Sequence, residues 1–249
     1  MDYLLPAVES VLAQGNVAAK DIDLIVSFSV SPDHLTRDSS IGGPRIGHPL
    51  QKEISARNAF VFDLMDTSLA KVLHIVNTLS WQEGYKRILL VRSEINHCVK
   101  NDSRSGFSMQ DGAMALLVAP VKHQYFQQSY LGKVFPPLVM ELNTTIRTPQ
   151  DHKCIMQFPT GEKLFEAIGA TSEKLLTPHR ENNIEGIMEQ WFHDNTDNKP
   201  CYGPFHLAQE FMIRLKQRRH VEIAAASFDP FGPAIDMVTA IISPGNTNA

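Results

Sequence analysis

The residues best suited to chemistry in this 249-residue chain gather at one junction between a strand and a helix. The run Phe60-Val61-Phe62-Asp63-Leu64 reads as a buried strand. Asp66-Thr67-Ser68 follows it, and Leu69, Val72, Leu73, Val76 and Leu79 then recur at helical spacing. A hydroxyl at a helix N-terminus has two uses: it accepts an acyl group, or it caps the first-turn amides. Asp66, Thr67 and Ser68 are all capping types, which favours the cap. A serine hydroxyl titrates far above neutral pH, so attack on a thioester also needs an adjacent base. Cys98 lies in a polar loop after a strand, with no motif around it, and reads as an ordinary free thiol rather than a reactive one.

Three cysteines, Cys98, Cys154 and Cys201, are widely spaced and odd in number. That argues against a disulfide framework and fits a reducing cytoplasm. They form no CxxC pair, and the ten histidines show no HExxH spacing, so neither a metal nor a cofactor is expected. Net charge is -4, with basic residues scattered. The tight cluster Arg214, Lys216, Arg218 and Arg219 reads as the solvated face of a helix. Nucleic acid and membrane surfaces are therefore poor partners. The opening MDYLLPAVESVL lacks the basic start and long apolar run of a signal peptide, and no segment approaches 18 consecutive apolar residues. A soluble, cytoplasmic protein is expected.

The junction needs a scaffold, and the pattern supplies one. A helix over 3–14, stopped by Gly15, precedes IDLIVSFSV (22–30), an apolar run of the kind a strand covered on both faces requires. Ser31 to Pro49 is a long irregular loop. Strands follow at 87–95 and 114–121. The second half offers a strand at 154–158, a helix at 162–176, a strand at 184–188 and a helix at 205–219. Two last strands, 222–228 and 234–242, flank a turn bearing Pro230 and Gly232. Alternating strands and helices predict an α/β layered fold. Both halves end on a helix, a buried strand, a Gly-bearing turn and a final strand, consistent with a duplication dividing the chain into 1–121 and 122–249.

The order IDLIV, SPDH, FVFDL, long helix, RILLV and Gln110-Asp111-Gly112-Ala113-Met114 resembles ketoacyl-ACP synthase III of the thiolase superfamily. The resemblance implies two pseudo-repeated halves in α/β/α layers with mixed, five-stranded-type sheets. In that family a cysteine opens the helix after the second buried strand; here that position is Ser68. The family's histidine sits in a PHQAN motif after a short strand. Pro178-His179-Arg180-Glu181-Asn182 mimics those letters, but the strand IEGIM comes after it, and aligning on that strand places the base at Glu189 or Gln190. Gly203-Pro204-Phe205-His206 occupies the place of the family's asparagine. The glycine-rich turn that donates an N–H to the oxyanion becomes Phe228-Asp229-Pro230-Phe231-Gly232. Proline has no N–H to donate, and an acidic side chain opposes a developing oxyanion. The resemblance therefore implies no catalytic residues, with degenerate positions at Ser68, Gln190, Pro204 and Pro230.

The strings DIDLIVSFSVSPDHL, IGHPLQK, AFVFDLMDTSLA and SFDPFG are similar to the B-type subunits of heterodimeric 2-alkyl-4-quinolone synthases. That likeness implies a catalytic C-type partner of the ketosynthase III kind, which holds the cysteine and an acyl group delivered as acyl-CoA. The partner condenses a medium-chain acyl group with 2-aminobenzoylacetate to give a 2-alkyl-4(1H)-quinolone, a bacterial signal or antibiotic. By the same resemblance Arg57, Asn58, Ala59, Phe60, Val61 and Phe62 form the subunit seam, and Leu35, Ile41 and Arg45 border the partner's pocket. The resemblance also implies a further edge strand ahead of the first helix, where this chain starts. Two other readings of the same residues stand beside it: a self-sufficient acyltransferase using Ser68, His179 or both, and a scaffold or regulator with no part in any enzyme.

Overall fold

The structure, a computed structural model, describes residues 1–29, 46–64, 67–94, 111–131, 139–143, 153–157, 162–190, 203–217, 220–229 and 234–243. The first half runs α1 (Leu4–Gly15), β1 (Leu24–Ser27), α2 (Gly47–Glu53), β2 (Phe60–Asp63), α3 (Leu69–Glu83), β3 (Ile88–Glu94) and β4 (Gly112–Val118). Next come β5 (Phe126–Tyr130), β6 (Val139–Asn143), β7 (Lys153–Gln157), α4 (Glu162–Glu181) and β8 (Glu185–Met188). The chain finishes with α5 (His206–Lys216), β9 (Val221–Asp229) and β10 (Ala234–Ile242).

One sheet has the order β2-β1-β3-β4, with β1 parallel to both neighbours and β4 antiparallel to β3. The other has the order β5-β10-β9-β8, with β8 parallel to β9 and β10 antiparallel to β9 and β5. Each therefore holds a parallel pair closed by an antiparallel strand, the signature of two pseudo-repeated halves. β6 and β7 form a separate antiparallel pair.

Strand alternation decides the layering, because successive side chains leave opposite faces. Ile25, Leu89 and Val91 share one core with Leu4 and Val8 of α1 and Leu50 of α2. The alternate residues Leu24, Val26, Ile88 and Leu90 meet Val72, Leu73 and Val76 of α3. β9 behaves likewise: Ile223 and Ala225 join the α3 cluster with Phe211 of α5, while Ala224, Ala226 and Phe228 face α4 through Leu164, Ile168 and Leu176. Helices α3 and α5 are thus a middle layer shared by both sheets. The order of layers is α/β/α/β/α.

Four features differ from the sequence reading. The strand at Phe60 is not buried: among the described residues β2 pairs with β1 alone and lies at the sheet edge, with Phe60 54% and Phe62 37% exposed. Apolar residues on both faces look the same in sequence whether the cover is internal or comes from outside. Second, α4 runs past 176 to Glu181 and carries Pro178 inside it. Its end is set by Asn183 in the left-handed region (φ 61°), with the Ile184 N–H returning to the His179 carbonyl. Third, Asn16 (φ 50°), not Gly15, is the left-handed cap of α1. Gly15 instead permits close approach to the sheet, since a Cβ there would lie 2.6 Å from Leu117 Cδ2. Fourth, Arg214 is no solvated cation. Its side chain is 13% exposed and pairs with Glu185 of β8 and Glu210 of α5. Among the described residues no helix is long and apolar enough to cross a membrane.

Candidate functional site

Ser68 stands immediately before α3 with extended backbone, as an N-cap requires, and its Oγ accepts the Lys71 N–H at 3.1 Å. The adjacent amide, Ala70 N–H, donates to Ser227 Oγ of β9 at 3.0 Å. Two serines thus satisfy two consecutive first-turn amides of the helix, one from its own segment and one from the opposite sheet. The remaining proton of Ser68 goes to Asp236 Oδ2 of β10 at 2.6 Å. Gln128 of β5 donates to the other carboxylate oxygen at 2.7 Å. Asp236 and Ser227 are cross-strand neighbours, so one register position of the β9–β10 pair clamps the helix start.

Burial dominates the electrostatics. Asp236 has no exposed surface, and burial raises its carboxyl above the ordinary range. Hydrogen bonds from Ser68 and Gln128 and the charge of Lys71 pull the other way; nearby Asp229 adds to the rise. Lys71 Nζ lies 3.9 Å from Asp229 Oδ2, and that carboxylate is itself 3% exposed. Glu189, also buried, accepts the Phe228 N–H at 3.2 Å, so a third acid braces β9 from the end of β8.

The hydroxyl–carboxylate pair has a base within reach, yet Ser68 is only 1% exposed. A nucleophile must meet its substrate, and this one is sealed between helix and sheet. His179 lies in the last turn of α4 with its ring tilted against Tyr125 at 5.2 Å; no contact among the described residues joins it to Ser68. Gln190 is exposed just beyond β8. Pro204 is buried in a short 3-10 turn, Gly203–Phe205, leading into α5. Pro230, like Leu35, Ile41 and Arg45, lies outside the described residues. So does Cys98. Among the described residues no group of three or more His, Cys, Asp or Glu side chains is placed to hold a metal ion.

Of the six residues 57–62, Arg57, Asn58, Phe60 and Phe62 are exposed, Val61 is half-buried and Ala59 is buried. Among the described residues they form the outer edge of the first sheet and its approach. Asp63 Oδ1 accepts the Gly47 N–H at 2.9 Å and ties this edge to α2. A Cβ on Gly47 would lie 2.5 Å from Val61 Cγ1, so glycine alone lets α2 sit this close. Sequence reasoning missed Asp236, Ser227, Gln128 and Lys71 as members of the cluster. The available signal was a lone acid within the apolar strand AIDMVTAII.

This layering, with a capped helix start where the two sheets meet, defines a thiolase-like protein of the ketosynthase III type. The 3-oxoacyl-(acyl carrier protein) synthase III of Thermus thermophilus superposes with a TM-score of 0.71 at 17% identity, over 98% of this chain and 84% of that one. The corresponding Pseudomonas aeruginosa enzyme gives 0.70 at 15% identity, over 97% and 83%. At such identity the likeness speaks for the fold alone. The 2-heptyl-4(1H)-quinolone synthase subunit PqsB of Pseudomonas aeruginosa is 41% identical over 244 residues, covering 96% of this chain and 85% of that protein. The chain belongs to the PqsB family of quinolone synthase subunits. No model in the family scan matches it.

Proposed function

We propose that this chain is the non-catalytic subunit of a heterodimeric 2-alkyl-4-quinolone synthase. Its partner carries the cysteine and takes a medium-chain acyl group onto it from acyl-CoA. That acyl group then condenses with 2-aminobenzoylacetate; carbon dioxide is lost, and the aromatic amine closes on the new ketone with loss of water. One observation carries the non-catalytic assignment: at the nucleophile's position Ser68 is buried, accepts a backbone N–H and gives its own proton to Asp236.

The proposed seam is the outer edge of β2, where Phe60 and Phe62 offer apolar surface and, among the described residues, no further strand pairs. Such an edge can extend its sheet into a partner by adding a strand. Leu35, Ile41 and Arg45 are proposed to border the partner's pocket, and the two half-units are proposed to divide as 1–121 and 122–249. The 2.6 Å contact between Ser68 and Asp236 favours a second reading, a self-sufficient acyltransferase with Asp236 as base.

Reconstitution separates the two. The chain and a cysteine-bearing ketosynthase III-like partner are assayed alone and together for quinolone formation from acyl-CoA and 2-aminobenzoylacetate. Product from the pair only, undiminished by Ser68→Ala, is expected. Acyl transfer by this chain alone, lost on Ser68→Ala, would establish the second reading instead.

A further inference from the structure

The far end of α3 holds a second feature, about 18 Å along the helix from Ser68 at 1.5 Å per residue. There a cavity of about 350 Å³ opens between the last turns of α3 and the ends of β4 and β10. Its size falls within the range of small-molecule sites. Most of its wall is aliphatic, including Leu73, Val76, Leu117 and Ile241, and among the described residues no charged side chain lines it.

Two polar atoms in this wall lack partners. Ser80 lines the cavity and is 1% exposed, and its hydroxyl makes no hydrogen bond. The side-chain oxygen of Gln124, also in the wall, is buried and likewise unpaired. A helical serine can return its proton to the carbonyl four residues back, as Thr78 does to His74 in this same helix. Ser80 does not, and its hydroxyl is left without a partner, buried just beneath the cavity wall. Buried polar groups in folded proteins nearly always have a partner, so these two atoms mark where one is wanted. The rim is already fixed: Val121 N–H donates to Asn77 Oδ1, and Trp81 Nε1–H donates to the Val121 carbonyl.

We infer that this cavity is a binding site for a neutral amphiphile, with an apolar body against the aliphatic wall, a donor for Gln124 and an acceptor for Ser80. The lack of charged lining counts against fatty-acid anions and the phosphates of acyl-CoA, whose burial without a cation is costly. An alkyl-4(1H)-quinolone has the required chemistry: a ring N–H, a ring carbonyl and an alkyl tail. Choosing that ligand rests on the proposed function, and it makes the site a product site on the non-catalytic subunit.

Calorimetric titration of the full chain with 2-heptyl-4(1H)-quinolone, decanamide and decanoate tests this without any turnover assay. Saturable one-to-one quinolone binding is expected. Ala240→Leu, which adds three carbons at the cavity wall and narrows it, should weaken it strongly with circular dichroism unchanged. Ser80→Ala should weaken it by about tenfold, the equivalent of one hydrogen bond. Decanoate should bind far more weakly than decanamide. No saturable heat with either neutral ligand, equal binding by Ala240→Leu and by Ser80→Ala, or decanoate as tight as decanamide would overturn the site. Decanamide binding without quinolone binding would overturn the quinolone assignment, whatever the reconstituted pair does in the synthesis assay.

Discussion

Ser68 and Ser227 satisfy neighbouring amides at the start of α3, and Asp236 holds Ser68 in place. Ser68→Ala removes a cap and leaves a buried carboxylate one donor short. We expect a loss of about 1–3 kcal/mol in urea denaturation, with synthesis by the pair unchanged. The pH dependence has a definite sign. Burial raises Asp236 in the fold, so the native state binds this proton more readily than the unfolded chain does. Its contribution to stability is largest in acid and falls as pH rises from the ordinary carboxylate range through the raised value, then levels off. Asp236→Asn removes that component. The stability difference between wild type and variant should therefore drift across mildly acid pH and become constant above it. A difference that is constant throughout would contradict the assignment. The local half of this cluster was legible, because Asp66-Thr67-Ser68 ahead of an apolar helical pattern announces a cap. Asp236 lies 168 residues away and Ser227 157 residues from Ala70, and no local pattern encodes that pairing.

At the scale of elements, the helices and the apolar strands were legible because each must bury a periodic face. What failed has a common cause: the pattern reports apolarity, not what supplies the cover. Phe60-Val61-Phe62 reads as a buried strand and is an edge. β5, Phe-Gln-Gln-Ser-Tyr, carries no apolar alternation to announce it and is a strand paired with β10. The helix expected over 162–176 continues to Glu181 through Pro178, with Asn182 Nδ2 donating to the Pro178 carbonyl. The edge gives two predictions. Phe60→Lys with Phe62→Lys should leave the lone chain folded, since Phe60 is 54% and Phe62 37% exposed, but should weaken pairing with the proposed catalytic partner by at least about tenfold in calorimetry. Gly47→Ala should destabilise the chain by about 1–3 kcal/mol in urea denaturation through overpacking against Val61 and should weaken pairing too, because α2 positions β2.

In the whole molecule, α3 binds both sheets, and its two ends have different environments. One end is closed by serines and a buried acid; the other opens on an uncharged cavity. In the ketosynthase III fold the closed end is where an acyl group would be taken up. In this chain that position is Ser68, buried and hydrogen-bonded to Asp236 and Lys71, and under the proposed function the β2 edge serves a partner. Intact-protein mass spectrometry of the reconstituted pair after incubation with acyl-CoA, without 2-aminobenzoylacetate, tests this most directly. An acyl mass increment on the cysteine-bearing subunit alone, unaffected by Ser68→Ala, is the predicted result. An increment on this chain that disappears with Ser68→Ala would contradict it.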